Sequence, residues 1–300
     1  MNKCKGYSKS CFWQYYRRTA RLAVIGLFAA LLSAVPFHAA FAQTQTAPAL
    51  GSAASFAILA GPAVTCTDST ITGDVGIFSP VPPGSSVTQT NCTINGTIHA
   101  GDASAVTAYN DFLSAYDALQ ALPATSCDQV LTGTLAGVTL TPGVYCFDAA
   151  ATLTGQLTLV GPADGVWIFK IGTPGTLETG ALTGTNFSVV MEGGGLPCNV
   201  YWWVAEAATM TDSAFQGTIL AGAAITITRG TFNGDALAQA AVTMTGATIT
   251  GCEQTSQAGR SRCNQGVGNG PENCDPGNSN QGNLSRSNDE LGGTPGNPGR

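Results

Sequence analysis

The sequence predicts a mainly β fold: a solenoid of short, stacked strands with one long α-helix packed alongside. Three observations carry that prediction. From Leu50 to Cys252 the 300-residue chain is rich in Gly, Ala, Thr and Val, arranged as short strand-like segments broken by Gly. In the last third of that stretch the pattern recurs every 17 residues: Thr209, Thr226 and Thr243; Thr211, Thr228 and Thr245; Gly217, Gly234 and Gly251; Phe215, Phe232 and Ile249; Leu220 and Leu237. A fixed period in a strand-rich chain is the signature of coils that bury their apolar faces only by stacking, here as three short strands and three corners each. The third observation is a single segment, 102–122, whose apolar residues follow helical spacing.

At the N-terminus, Lys3, Lys5, Lys9, Arg17, Arg18 and Arg21 precede an apolar run from Leu22 to Val35 and then Ala40-Phe41-Ala42. This is the layout of a secretory signal peptide, with cleavage expected after Ala42 and a secreted mature chain. The run is shorter than the roughly 20 apolar residues of a membrane span, and no later stretch could span a bilayer. The expected organisation is therefore a signal peptide over 1–42, a solenoid domain over 43–252 and a tail over 253–300.

Removing residues 1–42 leaves six basic against eighteen acidic residues, a formal charge of −12. Only Lys170 and Arg229 are basic between Gln43 and Cys252. So few cations disfavour phosphate backbones, anionic lipid and anionic substrates as partners.

In the segment 102–122, Ala105, Val106, Tyr109, Phe112, Leu113, Tyr116 and Leu119 fall at spacings of three and four, giving one wide apolar helical face. Asp102 is placed to cap it and Pro123 to stop it. That face should lie against the β body.

In the repeat itself, "ITIT" and "VTMT" alternate. Ile225, Ile227, Val242 and Met244 should point inward, leaving Thr226, Thr228, Thr243 and Thr245 outside. Stacking would set those hydroxyls about 4.8 Å apart between coils and roughly 6.7 Å apart along each strand. Thr is favoured in strands for its own sake; a generic soluble strand face, however, would mix in Lys, Glu and Arg.

Eight cysteines remain after the signal, an even number that suits disulfides in an exported protein. Sequence leaves the connectivity open; nearest-neighbour pairing joins Cys66 with Cys92, Cys127 with Cys146, Cys198 with Cys252 and Cys263 with Cys274. A metal site or cofactor is not expected, since no two cysteines form a close pair and His99 is the one histidine beyond residue 42. The tail is rich in Gly, Asn and Pro with almost no large apolar residues, and reads as flexible. Its "DPGNSNQGNLSRSNDE" carries oxygen ligands but not the spacing of a calcium-binding EF-hand loop.

Five segments occur in order: "STITGDVGIFSP" (Ser69 to Pro80), "LTPGVYCF" (Leu140 to Phe147), "GVWIFKIG" (Gly165 to Gly172), "NVYWWV" (Asn199 to Val204) and "FQGTILAGAAITITRGTFNGDALA" (Phe215 to Ala238). Together they resemble the bacterial, algal and fungal ice-binding proteins of the DUF3494 family. The resemblance implies a discontinuous right-handed parallel β-solenoid of triangular section, with the segment from Leu50 to Pro80 stacked beside the C-terminal coils. It also implies that one flat face adsorbs to ice, in some members through T-A/G-x-T/N steps. Thr183-Gly184-Thr185-Asn186 and Thr245-Gly246-Ala247-Thr248 fit that step; Thr228-Arg229-Gly230-Thr231 and Thr211-Asp212-Ser213-Ala214 depart from it. An Arg or Asp in the middle of a contact face would hold water in its own geometry.

The resulting expectation is a monomeric protein that meets ice or ordered water through Thr183, Asn186, Thr209, Thr226, Thr228, Thr243, Thr245 and Thr248. Thr231 and Thr248 belong to a different side from Thr226 and Thr243. An enzyme is not expected: thirteen acidic residues are scattered through the solenoid without shared spacing, and His99 reads as a loop or capping residue. The competing reading is a secreted adhesive or glycan-binding module, for which Tyr201, Trp202 and Trp203 are the candidate sugar platform, although alternation puts one of each neighbouring pair inside.

Overall fold

The computed structural model describes residues 46–78, 86–172 and 180–252. The chain enters through a 3-10 turn, Gly51–Ser55, and β1 (Phe56–Ala60). There follow β2 (Val64–Thr67), β3 (Thr70–Thr72), β4 (Asp74–Ile77), β5 (Val87–Thr90), β6 (Thr93–Asn95) and β7 (Ile98–Ala100). Helix α1 (Ala103–Gln120) interrupts the strands. They resume as β8 (Gln129–Val130), β9 (Val138–Leu140), β10 (Gly143–Phe147), β11 (Ala151–Val160), β12 (Trp167–Ile171) and β13 (Leu182–Glu192). The last six are β14 (Val200–Val204), β15 (Ala208–Gln216), β16 (Thr218–Ala221), β17 (Ile225–Asn233), β18 (Ala236–Ala238) and β19 (Val242–Thr250).

The strands pair in parallel in two sheets. One runs β7-β4-β1-β18-β16-β14-β12-β10-β8; the other runs β5-β2-β19-β17-β15-β13-β11-β9, with β3 joining β19 and β6. Coil order is discontinuous, as the resemblance implied: β1 stacks on β18, and β2 and β3 both stack on β19. Each long strand of the second sheet turns a corner at positive φ, such as at Asn186 (48°), Asp212 (50°) or Gly246 (64°), and in β17 at the pair Arg229 (56°) and Gly230 (99°). A coil therefore has three legs, one in the first sheet and two in the second. At another corner backbone stacks directly on backbone: a Cβ on Gly234 (φ 150°) would lie 2.0 Å from the Gly217 carbonyl oxygen, so the glycine column there is obligatory.

The interior is an aromatic and aliphatic column. Phe169 stacks on Trp202 with ring centroids 3.9 Å apart, and Phe215 on Phe232 at 5.2 Å. Ile225, Ile227, Val242 and Met244 are buried as alternation requires. Cys66–Cys92, Cys127–Cys146 and Cys198–Cys252 are bonded; the pairing of Cys263 with Cys274, the tail and the signal segment lie outside the described residues.

The inner strands of the first sheet, such as β1, β12 and β14, are buried on both sides, which is why they read as unbroken apolar runs rather than alternating ones. The outer face of that sheet, including Leu59, Trp203, Leu220 and Leu237, lies in a second apolar cluster with Tyr109, Phe112, Tyr116 and Leu119 of α1. The helix starts where the sequence placed it: the Asp102 carboxylate accepts from the Ala105 N–H at 2.9 Å. It ends at Gln120, short of 122, because Lys170 reaches up from β12 and donates to the carbonyls of Gln120 (2.5 Å) and Leu122 (2.8 Å). A cation at a helix C-terminus satisfies orphan carbonyls and meets the negative end of the dipole.

Candidate functional site: a threonine lattice on one leg

Apart from the end strand β5, the first leg of the second sheet alternates inward and outward residues, and strand register determines which outward residues become neighbours. In the first column Thr152, Thr183, Thr209, Thr226, Thr243, Thr65 and Thr88 follow one another through seven consecutive coils. In the second, Thr185, Thr211, Thr228, Thr245, Thr67 and Thr90 do the same through six. None of the thirteen is buried. Between the columns the inward positions Leu153, Met210, Ile227, Met244 and Cys66 are closed into the core, so the threonines stand on a packed floor.

The second leg is mixed. Its corresponding column runs Gln156, Ser188, Ala214, Thr231, Thr248, Thr70 and Thr93. Thr248 therefore lies across the corner from Thr243 and Thr245, beyond Gly246, on the different side the sequence reading gave it. Asn186 is itself a corner residue. The other six, Thr183, Thr209, Thr226, Thr228, Thr243 and Thr245, share the one leg. The two look-alike steps are not register equivalents: Thr183 stacks in the first column and Thr245 in the second.

Sequence reasoning did not single out Thr65, Thr67, Thr88, Thr90, Thr152, Thr185 and Thr211 as contacts. The signal was present as "ATLT", "LTGT", "ATMT", "VTCT" and "VTQT", each matching "ITIT". It was masked because the 17-residue period holds only over the last coils; Thr65 and Thr88, paired in register, are 23 residues apart.

The corner has its own chemistry. Asp68 and Asp212 take left-handed backbone, which Asp tolerates. The next residue closes the gap left in the ladder: the Ser69 hydroxyl donates to the Thr67 carbonyl and accepts from the Ala247 N–H, and the Ser213 hydroxyl donates to the Thr211 carbonyl and accepts from the Phe187 N–H. Arg229 and Asp212 are on this corner too, not in the middle of a face, and they are paired with each other: Nε to Oδ1 is 2.6 Å and Nη2 to Oδ2 is 2.7 Å. The hydrogen bond from Arg229 holds the Asp212 carboxyl below the usual carboxylate range.

Elsewhere, two cavities open on the surface. One, of about 420 Å³, is lined among others by Phe147, Asp148 and Thr132; the other, of about 350 Å³, by Tyr201, Thr218, Asp235 and the Cys198–Cys252 bridge. Each has one carboxylate among its described lining residues. In the second it is spent on structure, accepting from the Thr218 hydroxyl and the Cys252 N–H. Burial, and secondarily Asp235, pushes the Tyr201 hydroxyl up to about 12. Among the described residues no three acidic, His or Cys side chains converge as a metal site, and no helix is long and apolar enough to cross a membrane. His99 is a helix-entry residue, its Nδ1 2.7 Å from the capping Asp102.

A family model described as ice-binding-like matches residues 58–250, nearly the whole of the described solenoid. The chain belongs to the ice-binding-like family. Among its ice-binding relatives, a protein of Nostoc sp. (strain HG1) is 39% identical over 206 residues, 66% of this chain and 71% of the relative. The crystal structure of an ice-binding protein from the Antarctic ascomycete Antarctomyces psychrotrophicus superposes with a TM-score of 0.61 at 35% identity, covering 68% of this chain and 98% of that one. An ice-binding protein from an Arctic yeast, its structure described as the basis of antifreeze activity, superposes with a TM-score of 0.61 at 25% identity over 69% of this chain and 96% of its own. The family's fold thus accounts for the coils, the discontinuity and the helix, and the Thr columns are what this ice-binding-like chain writes on that scaffold.

Proposed function

We propose that this chain is a secreted, monomeric ice-binding protein that adsorbs to ice through the leg bearing the two Thr columns and so limits ice growth and recrystallisation. The observation that supports this most is the uninterrupted register of seven and six threonines on an uncharged leg. Each threonine offers a methyl that favours ordered water around it and a hydroxyl that can anchor that water. One such contact is worth little. Repeated on a rigid lattice the contacts add without further ordering cost, because the surface is organised before it binds.

Secretion is supported by the signal-like N-terminus and by three disulfides, which persist in oxidising compartments. A non-catalytic role is supported by relatives that are ice-binding proteins and by cavities that offer single carboxylates where hydrolysis of a glycoside asks for two. Sugar binding through "YWWV" has little to stand on, since Tyr201, Trp202 and Trp203 are 6%, 0% and 0% exposed.

The test compares ice recrystallisation inhibition and thermal hysteresis of the parent, of Thr226→Tyr/Thr243→Tyr on the first leg and of Thr231→Tyr/Thr248→Tyr on the second. Activity in the parent, lost in the first variant and kept in the second, is the expected result. A parent inactive at high concentration contradicts ice binding; loss only in the second variant moves the contact to the other leg.

A further inference from the structure

Resting on the reading just given, we propose that Asp212 is a positioning residue for ice contact: it parks the guanidinium of Arg229 on the corner and keeps a cation off the Thr lattice. Positive φ recurs where the coils turn from the first leg to the second: Gly155, Asn186, Asp212, Arg229 with Gly230, Gly246, Asp68 and Asn91. Seven of these eight are Gly, Asn or Asp, the residues that take left-handed backbone most readily. Arg229 is the exception, and it is the residue whose side chain could do most harm there. It flanks the second Thr column, one residue after Thr228, with Thr211 and Thr245 in the adjoining coils. A long, flexible cation swung over those hydroxyls would organise water around itself.

The three successive corners of the 17-residue repeat are complementary to that side chain. Asp212, one coil away on β15, receives it as a two-point fork at 2.6 and 2.7 Å, a geometry that fixes direction as well as distance. Gly246, one coil away on β19, lies alongside the stem, which a Cβ there would meet at ordinary contact distance, 3.4 Å from Arg229 Cγ. Arg229 is 59% exposed and Asp212 39%, so the pair adds little to stability, and its consequence is where the guanidinium sits and that its charge is offset. The neighbouring pair of corners repeats the arrangement without a cation, Asn91 donating to Asp68 at 3.1 Å.

The experiment measures ice recrystallisation inhibition at near-neutral pH for four secreted-form proteins: the parent, Asp212→Asn, Arg229→Gly and the double variant Asp212→Asn/Arg229→Gly, each with its thermal unfolding midpoint. The expected result is a several-fold rise in the concentration needed for inhibition by Asp212→Asn, parental activity in Arg229→Gly, and recovery of parental activity in the double variant, with unfolding midpoints close together. Recovery on removing Arg229 separates parking from a structural need for Asp212, because a damaged corner would not be repaired by a second substitution. Parental activity in Asp212→Asn overturns the proposal while leaving the Thr lattice standing. So does loss of activity in Arg229→Gly, which would make the guanidinium itself a contact. A double variant as weak as Asp212→Asn overturns it as well. An inactive parent removes the ice-binding reading and this inference with it.

Discussion

Threonine, aspartate and arginine occupy adjacent positions around one corner, and each is decided by different physics. The threonines are set by alternation: a residue beside a buried Ile227 or Met244 must face out, and this is visible in a sequence of two-residue period. The corner residues are set by backbone φ, which Asn186, Asp212, Arg229 and Gly246 satisfy with four different side chains, so no letter in the sequence marks the column. Thr248 could be set on a different side from Thr243 in the sequence, but the residue that makes the turn could not be named there. Two predictions belong here. Phe232, 0% exposed and stacked on Phe215, should cost about 3–5 kcal/mol when cut to Ala, read by denaturant unfolding. Asp102 titrates below its ordinary value, first through the Ala105 N–H bond and then through His99. A depressed carboxyl contributes stability that is present above its unfolded pKa and lost as pH falls through the folded one. Acidification below about pH 4 should therefore lower the unfolding midpoint of the parent more than that of Asp102→Asn, and equal pH slopes would show that the cap carries no linkage.

At the scale of elements, the helix was the most legible part, since one amphipathic stripe in a chain of short strands has no competing explanation. Its anchor was not legible. Lys170 sits in "WIFKI", a run buried throughout, where a lysine looks misplaced until the end of α1 is brought over it. Replacing it by Met keeps the stem and removes the donor from two helix-end carbonyls; the loss should be about 1–3 kcal/mol, measured by chemical unfolding, and a neutral result would mean that water replaces the ammonium. The disulfide pairing by nearest neighbours agrees with the three bridges described: Cys66–Cys92 and Cys127–Cys146 close short excursions of 26 and 19 residues, whereas Cys198–Cys252 spans 54. Cys198–Cys252 fastens the last described residue to the coil before β14. Cys198→Ser/Cys252→Ser should lower stability by about 2–4 kcal/mol, with a fall in unfolding midpoint as the measure.

For the whole molecule, the period of 17 exposed a solenoid but only its most regular part. The N-terminal coils carry the same Thr-x-Thr step in "VTCT" and "VTQT", yet their place in the lattice depends on β2 stacking on β19, a pairing between residues far apart in the chain. Nothing local in the sequence encodes that neighbour relation, and the family resemblance supplied it. The consequence is functional: discontinuous stacking joins threonines from both ends of the domain into columns longer than either end could build. The most direct measurement is the fraction of protein taken up into a slowly grown ice hemisphere, for the parent and for Thr226→Tyr/Thr243→Tyr at the middle of the first column. The parent should be enriched in ice and the folded variant left in the liquid. Equal uptake of the two would contradict the assignment of ice contact to the Thr columns.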